Sequence, residues 1–268
     1  MTVLSNVAVF LIFFVLLQLF PENRDFQFFL LGLSVLIVGS LATVIFHSGT
    51  PEGTLDSSGS ENQTEESVKF NWWDWLKSRI YFQVAFIYMT TRIVVNVSQV
   101  FLPFFVDDVL EMHALNDQAI TTVPLVLYIS SFFGSLAMNR LNQKFGRRGG
   151  YILGGLVSIV PLISMFFLTK EVSYFVYVAV IVLGFGSSII MVCSVSLESD
   201  LVGDRVSTGA FVFGSLSFTD KLSNGLIIFA IQNRDQVSKH IVMLSETLIP
   251  AAAAACGVIM AFFTVIPR

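Results

Sequence analysis

Charged side chains are scarce in this chain of 268 residues, because Asp, Glu, Lys and Arg make up only 13% of it while 54% is hydrophobic. Soluble domains carry about 25% charged residues, so this sequence cannot cover a water-facing surface of ordinary size. The net charge of −4, without a basic cluster of the kind that binds nucleic acid, also argues against a nucleic-acid partner. The composition therefore predicts an all-α, polytopic membrane protein.

Cysteine and histidine are also scarce, with two and three residues respectively. Cys193 and Cys256 both lie inside apolar segments, so they cannot form the disulfide framework of a secreted domain. The histidines lie near segment ends without metal-ligand spacing. No HExxH, Walker or Ser-His-Asp arrangement occurs either. We therefore expect no metal, no cofactor and no enzymatic activity.

Apolar stretches dominate what remains, and a membrane span needs about 20 mostly apolar residues. Two predicted spans precede a polar segment and six follow it. They cover residues 3–20, 26–46, 79–106, 119–138, 151–168, 174–197, 208–232 and 241–266. The polar segment 47–69 is rich in Gly, Ser, Glu and Thr, a composition that predicts a disordered linker.

The distribution of lysine and arginine predicts the orientation. With the linker on the cytoplasmic side, that side holds nine of these residues and the opposite side four. After the linker, Trp72, Trp73 and Trp75 suit an anchor at the level of the lipid headgroups or a short interfacial helix.

The third predicted span carries a stripe of polar residues, with Tyr88, Arg92, Asn96 and Gln99 spaced i, i+4, i+8 and i+11 on one helix face. A charge at bilayer depth costs about 2.5–3.5 kcal/mol and usually faces a bundle interior or an aqueous cavity. We expect Arg92 to face a cavity, because a guanidinium needs several acceptors and prefers carboxylates. For Asn96 and Gln99 the alternative is an ordinary polar contact between helices.

The span 208–232 carries two charges in its middle, Asp220 and Lys221. Ser217, Lys221 and Asn224 are predicted to share one face, with Asp220 about 100° round the helix. The two charges should therefore not face each other, and each should find its partner on another helix. Lys221 is the stronger candidate for a solute or coupling-ion site, whereas the alternative is a structural ion pair with Glu198 or Asp200.

Two further groups of residues complete the candidate site. Tyr128, on the fourth span, is a candidate for contact with the solute. Asp200 is expected, together with Asp220, to balance the positive charges of Arg92 and Lys221. The loop 139–150 is a tight basic turn that marks the cytoplasmic side. Its pairing with acids at neighbouring helix ends would hold one conformation of a transporter. The gating candidates are Lys144, Gly146, Arg147 and Arg148.

Residues 143–148, QKFGRR, resemble the signature that major facilitator superfamily transporters carry between their second and third, and eighth and ninth, helices. Asn139 stands where glycine is usual and Gln143 where aspartate is usual, so the arginines of the signature are kept but its acid is not. Residues 88–99, 122–128, 200–203 and 209–221 resemble the glycoside–pentoside–hexuronide:cation symporter branch of that superfamily.

The resemblance implies twelve helices in two six-helix bundles joined by a long cytoplasmic linker. Residues 1–46 would then be the last two helices of the N-terminal bundle, 47–78 the linker with its tryptophan cluster, and 79–268 the complete C-terminal bundle. The first four helices, with the cation-binding acids of the branch, are expected to be absent from this chain. In that branch a lysine at the position of Lys221 lies at the cavity.

The function implied by the resemblance is a secondary carrier of a small polar solute, specifically cysteine import across the lysosomal or melanosomal membrane. The plasma membrane is the alternative location. The expected partners are the solute, a proton or sodium ion and the lipid bilayer. One alternative is a cation-coupled sugar symporter, although Arg92 and Lys221 favour an anionic or zwitterionic solute. The other is a non-transporting regulatory protein that pairs with a full-length relative.

Overall fold

The computed structural model describes residues 2–19, 24–49, 72–112, 118–203, 206–233 and 238–264. Within these ranges the regular structure is entirely helical. The α-helices are α1 (Thr2–Leu19), α2 (Arg24–Gly49), α3 (Trp72–Lys77), α4 (Arg79–Phe104), α5 (Ala119–Phe166), α6 (Phe175–Val202), α7 (Val206–Gln232) and α8 (Lys239–Phe263). A π-helical turn, Phe105–Val109, continues α4, and a 3-10 turn, Lys170–Val172, precedes α6.

Six helical segments in the described residues are long and apolar enough to cross a membrane, which confirms the predicted all-α, polytopic class. They lie in α2, in α4 with its π turn, in both halves of α5, in α6 and in α8. The other two predicted spans are helical as well, as α1 and α7. Neither α1 nor α7 is among the six segments that are long and apolar enough to cross a membrane. In α7, Asp, Lys, Ser and Asn residues occupy the middle of the helix. The predicted linker falls outside the described residues, except that α2 runs on to Gly49.

Gly146 divides α5 into two helices, as the tight turn predicted for residues 139–150 requires. Its backbone lies at φ 69 and ψ 170, in the left-handed region that glycine adopts readily. The first half of α5 therefore reverses direction at Gly146, and the second half returns through the bundle as a separate span.

The helices α5 and α6 approach each other closely, and small residues explain why they can. A Cβ atom added at Gly184 would overlap the carbonyl oxygen of Leu127, and one at Gly186 would overlap the Ser158 side chain. Such backbone approach maximises dispersion contacts where lipid removes the hydrophobic drive for helix association. Apolar clusters on either side of this pair join it to α4 and α8.

Polar contacts accompany the packing of α7 against α3 and α4. Trp75 Nε1 donates to Thr208 Oγ1 at 2.9 Å, and Tyr81 Oη donates to Ser215 Oγ at 2.7 Å. The short helix predicted around the tryptophans is therefore present, but Trp75 is only 1% exposed and packs inside the bundle. Trp72 and Trp73 remain exposed, as a headgroup anchor requires.

Candidate functional site

Asp220 is the centre of a charged cluster between α4 and α7. Its side chain is only 1% exposed, and each carboxylate oxygen has its own partners. Oδ1 accepts hydrogen bonds from Asn96 Nδ2 at 3.2 Å and from Asn224 Nδ2 at 2.8 Å. Oδ2 lies 3.5 Å from Arg92 Nε and 3.4 Å from Lys221 Nζ. We call these five residues the Asp220 cluster.

Arg92 is held from two sides. Its Nε and Nη2 both donate to Tyr88 Oη, at 3.1 and 3.0 Å, across one turn of α4. Its Nη1 lies 3.7 Å from Met191 Sδ on α6, and Glu198 on the same helix is within electrostatic range. The predicted stripe therefore exists for Tyr88, Arg92 and Asn96. Because the Arg92 side chain is still 23% exposed, it can meet a solute without leaving these partners.

The prediction that Asp220 and Lys221 do not face each other is wrong. Adjacent helical residues do point about 100° apart. However, the four-carbon stem of Lys221 folds back until its ammonium reaches Oδ2. Lys221 is 78% exposed, and pairing with one oxygen engages one of its three donors. It therefore lies at the open edge of the cluster.

Asn224, which was predicted to share one helix face with Ser217 and Lys221, differs from both of them in exposure. It is 6% exposed and turned towards Asp220, with its Oδ1 buried and without a hydrogen-bond partner, whereas Ser217 is exposed. Gln99 is half-buried on α4. Tyr128 lies in the apolar cluster around Leu127 and Leu183, away from the residues that contact Asp220.

Asp200 lies at the end of α6 and pairs with Arg147 instead of balancing Lys221. Arg147 also donates to the Ser196 carbonyl oxygen at 2.9 Å, and Arg148 donates to the carbonyl oxygen of Phe262 at the end of α8. Lys144 is exposed, with its ammonium 5.6 Å from the centre of the Phe145 ring. The turn at Gly146 thus links the ends of α6 and α8.

A second set of ion pairs, at the opposite end of the bundle, was not predicted. Glu111 follows the π turn and pairs with both Lys170, before α6, and Lys239, at the start of α8. Hydrogen bonds from Lys170 and then Lys239 lower the pKa of Glu111 from 4.5 to about 2. We call this group the Glu111 clamp. The only sequence signal for it is the predicted orientation, which places all three residues on the non-cytoplasmic side.

Two acids are buried in the bundle. Glu246 in α8, which is 0% exposed, was not predicted, whereas Glu198 in α6, which is 4% exposed, was considered only as a structural partner of Lys221. An acid inside an otherwise apolar span is the signal that could have indicated Glu246, and it marks a functional site by default. In the described part of the chain, no three His, Cys, Asp or Glu side chains are grouped so as to hold a metal ion.

Three curated proteins are similar to this chain, all described as major facilitator superfamily domain-containing protein 12. The Mus musculus protein is 35% identical over 211 residues, which are 76% of this chain and 44% of that protein. The Equus caballus protein is 32% identical over 254 residues, covering 87% and 52% respectively. The Homo sapiens protein is 35% identical over 211 residues, covering 76% and 43%. The chain spans about half the length of the curated relatives it matches.

The family comparison covers almost the whole chain. A family profile described as "MFS/sugar transport protein" matches residues 1–267. The fold agrees with that match, since six helical segments of the described residues are long and apolar enough to cross a membrane. The chain therefore belongs to the MFS/sugar transport family, a family of multi-pass membrane transporters.

Proposed function

We propose that this chain forms part of a secondary carrier for a small zwitterionic solute, and that the Asp220 cluster contributes to the solute site. The observation that supports this most is the arrangement of charge: one buried carboxylate with two partly or largely exposed cations, Arg92 and Lys221, on its open side. A fixed group of this kind presents both charge signs within one hydrogen-bonded unit. A zwitterionic amino acid needs the same combination.

The chemistry of recognition follows from the donors and acceptors present. The carboxylate of the solute binds Lys221 and the exposed part of Arg92, because charge-assisted hydrogen bonds to these groups are stronger than neutral ones. The ammonium group of the solute binds beside Asp220, where it takes over the position that the Lys221 ammonium occupies without solute. Lys221 can leave that position at little cost, since it is mostly exposed.

Cysteine is the solute we propose, with import into lysosomes or melanosomes as the direction. The charges of the Asp220 cluster support an amino acid, and the choice of cysteine among amino acids rests on the resemblance of residues 88–99, 122–128, 200–203 and 209–221 described above. A proton or a sodium ion would drive the transport.

A sugar is the second candidate, because the matching family profile is described by sugar transport. Tyr88, Asn96 and Asn224 offer the neutral hydrogen-bonding groups that a sugar needs, although the last two already bind Asp220. Competition between cysteine and sugars for uptake separates the two proposals.

The decisive experiment measures uptake of labelled cysteine and of labelled sugars into isolated organelles that contain the protein. We expect Lys221→Ala to lose most cysteine uptake at matched protein amounts, because the exposed side chain supports binding but little packing. Arg92→Lys should also fail, because an ammonium cannot reproduce the contacts of the guanidinium with Tyr88 and Asp220 together.

Ala210→Ser, an exposed change on the same helix, is the matched control and should leave uptake unchanged. Wild-type uptake of cysteine by Lys221→Ala would refute the site. Uptake of sugar but not cysteine by the unaltered protein would refute the solute and support the second candidate.

A further inference from the structure

Glu246 is the most deeply buried acid in the described residues. Its side chain is 0% exposed, and neither carboxylate oxygen has a hydrogen-bond partner. Buried polar groups in proteins almost always have partners, so a carboxyl group without any requires a physical explanation. None of the contacts within the Asp220 cluster or the Glu111 clamp involves it.

The surroundings of Glu246 are apolar. Val242, one turn earlier, packs in the cluster of Leu102 and Phe105, and Ile249, one turn later, packs beside Phe101. Gly257 lies eleven residues further on, about three turns, so it shares a face of α8 with Glu246. That face contacts α4 and the second half of α5, because a Cβ at Gly257 would overlap Tyr151 Oη and come within 2.7 Å of Thr90 Oγ1. Glu246 therefore faces the inside of the bundle, towards these two helices.

The elements packed against this half of α8 provide no cation to neutralise the acid. From residue 93 to its end, α4 carries no ionisable side chain. The first half of α5 carries Tyr128 and, at its far end, the exposed Arg140 and Lys144; the second half carries Arg147, Arg148 and Tyr151 next to the same turn at Gly146. The π turn carries Asp107, half-buried, and Asp108, exposed. On α8 itself, Lys239 and His240 are exposed at the start of the helix, and Lys239 is bound to Glu111.

An ionised carboxylate in such a place would cost far more free energy than a protonated one, since no partner compensates for the lost water. We propose that Glu246 is a proton-binding site, occupied while the Glu111 clamp is closed and opened to water when the clamp opens. On opening, the O–H bond of the carboxyl group breaks and the proton passes to water on the clamp side. The use of this proton to drive solute transport rests on the proposed function; the binding site itself does not.

The clamp is placed to control access. Lys239 lies seven residues before Glu246, two turns along the same face of α8 and about 10 Å away by helical rise. The clamp joins the start of α8 to the π turn and to the turn before α6. Separation of these three elements is the shortest route by which water reaches Glu246.

The test is infrared difference spectroscopy of the purified chain in liposomes, which reads the carbonyl stretch of protonated carboxyl groups directly. The band is recorded from about pH 5 to pH 9, a range that includes the pKa values documented for buried glutamates. We expect the wild-type chain to retain the band at neutral pH. Glu246→Gln, which has the shape of the protonated acid, should lose it. Glu171→Gln, an exposed change in the 3-10 turn, should keep it.

A second variant tests the role of the clamp. Glu111→Gln should lower the midpoint of the Glu246 band by about one pH unit or more, a tenfold loss of proton affinity. A wild-type band that is unchanged by Glu246→Gln would overturn the site, and an unchanged midpoint in Glu111→Gln would overturn its control by the clamp. Neither result depends on solute uptake. A failure of the protein to carry cysteine would therefore count against the proposed function and not against the proton-binding site.

Discussion

Removal of the Asp220 side chain should destabilise the bundle more than any other single truncation in α7. Asp220→Ala leaves the amide of Asn96 without its acceptor and Arg92 without its carboxylate, and it leaves Asn224 Nδ2 with only the backbone carbonyl oxygen of residue 220. Asn224 is buried and cannot recruit water in exchange. Asp220→Asn keeps an oxygen that can accept both amide hydrogen bonds and removes only the charge.

The expected size follows from these contacts. Breaking a buried ion pair by deleting one partner costs about 3–5 kcal/mol, and the lower end applies because Arg92 is 23% exposed and Lys221 is mostly exposed. We therefore expect Asp220→Ala to cost about 3 kcal/mol. Asp220→Asn should cost about half as much, because hydrogen bonds that it retains contribute about 1 kcal/mol each.

The assay is the free energy of unfolding of the purified chain in lipid bicelles, measured by steric trapping, with Ala210→Ser as the control. The control should stay within about 0.5 kcal/mol of the wild type. A cost for Asp220→Ala no larger than that of the control would refute the structural role of the cluster. Equal costs for Asp220→Ala and Asp220→Asn would show that the amide hydrogen bonds contribute nothing.

Two further predictions concern other parts of the bundle. Because the folded pKa of Glu111 is depressed to about 2, the clamp stabilises the fold fully above the usual pKa of 4.5 and loses this effect as pH falls from 4.5 towards 2. In thermal unfolding in detergent, the unfolding midpoint of the wild type should therefore exceed that of Glu111→Gln by a constant difference from about pH 8 to pH 5. A difference that has already vanished at pH 6 would contradict the pairing of Glu111 with Lys170 and Lys239. Gly184→Ala should lower the free energy of unfolding by about 1–3 kcal/mol, because the backbone of Leu127 cannot move aside. Gly225→Ala, where the glycine has open space around it, should leave the free energy of unfolding unchanged or raise it. Equal unfolding midpoints for these two variants would contradict the close approach of α5 and α6.

The helical class, and the charged residues that lie within spans, could be predicted well from the sequence, because apolar runs and helical periodicity are local properties. The contact between Tyr88 and Arg92 is one example, since it lies along a single helix and follows from spacing alone. The basic turn is another, since Gly146 takes the left-handed conformation that a sharp reversal needs.

Partner choice was predicted less well, because it depends on which helices meet and on how far a flexible side chain reaches. Lys221 turned back to its neighbour, and Asp200 paired with Arg147 across the gap between α5 and α6. The Glu111 clamp joins three segments that are distant in sequence. No periodicity in any one of them indicates the other two.

The attachment of α7 has a consequence for how the bundle responds to hydration. Beside its apolar contacts, α7 is fastened by the bonds of Thr208 to Trp75, of Ser215 to Tyr81 and of Asp220 to α4. The strength of such electrostatic fastenings scales inversely with the local dielectric constant. Water beside Lys221 therefore weakens the contacts of Asp220 with α4, and a solute bound there as proposed would displace this water and strengthen them. The hydration of the Asp220 cluster therefore affects how firmly α7 is held against α4.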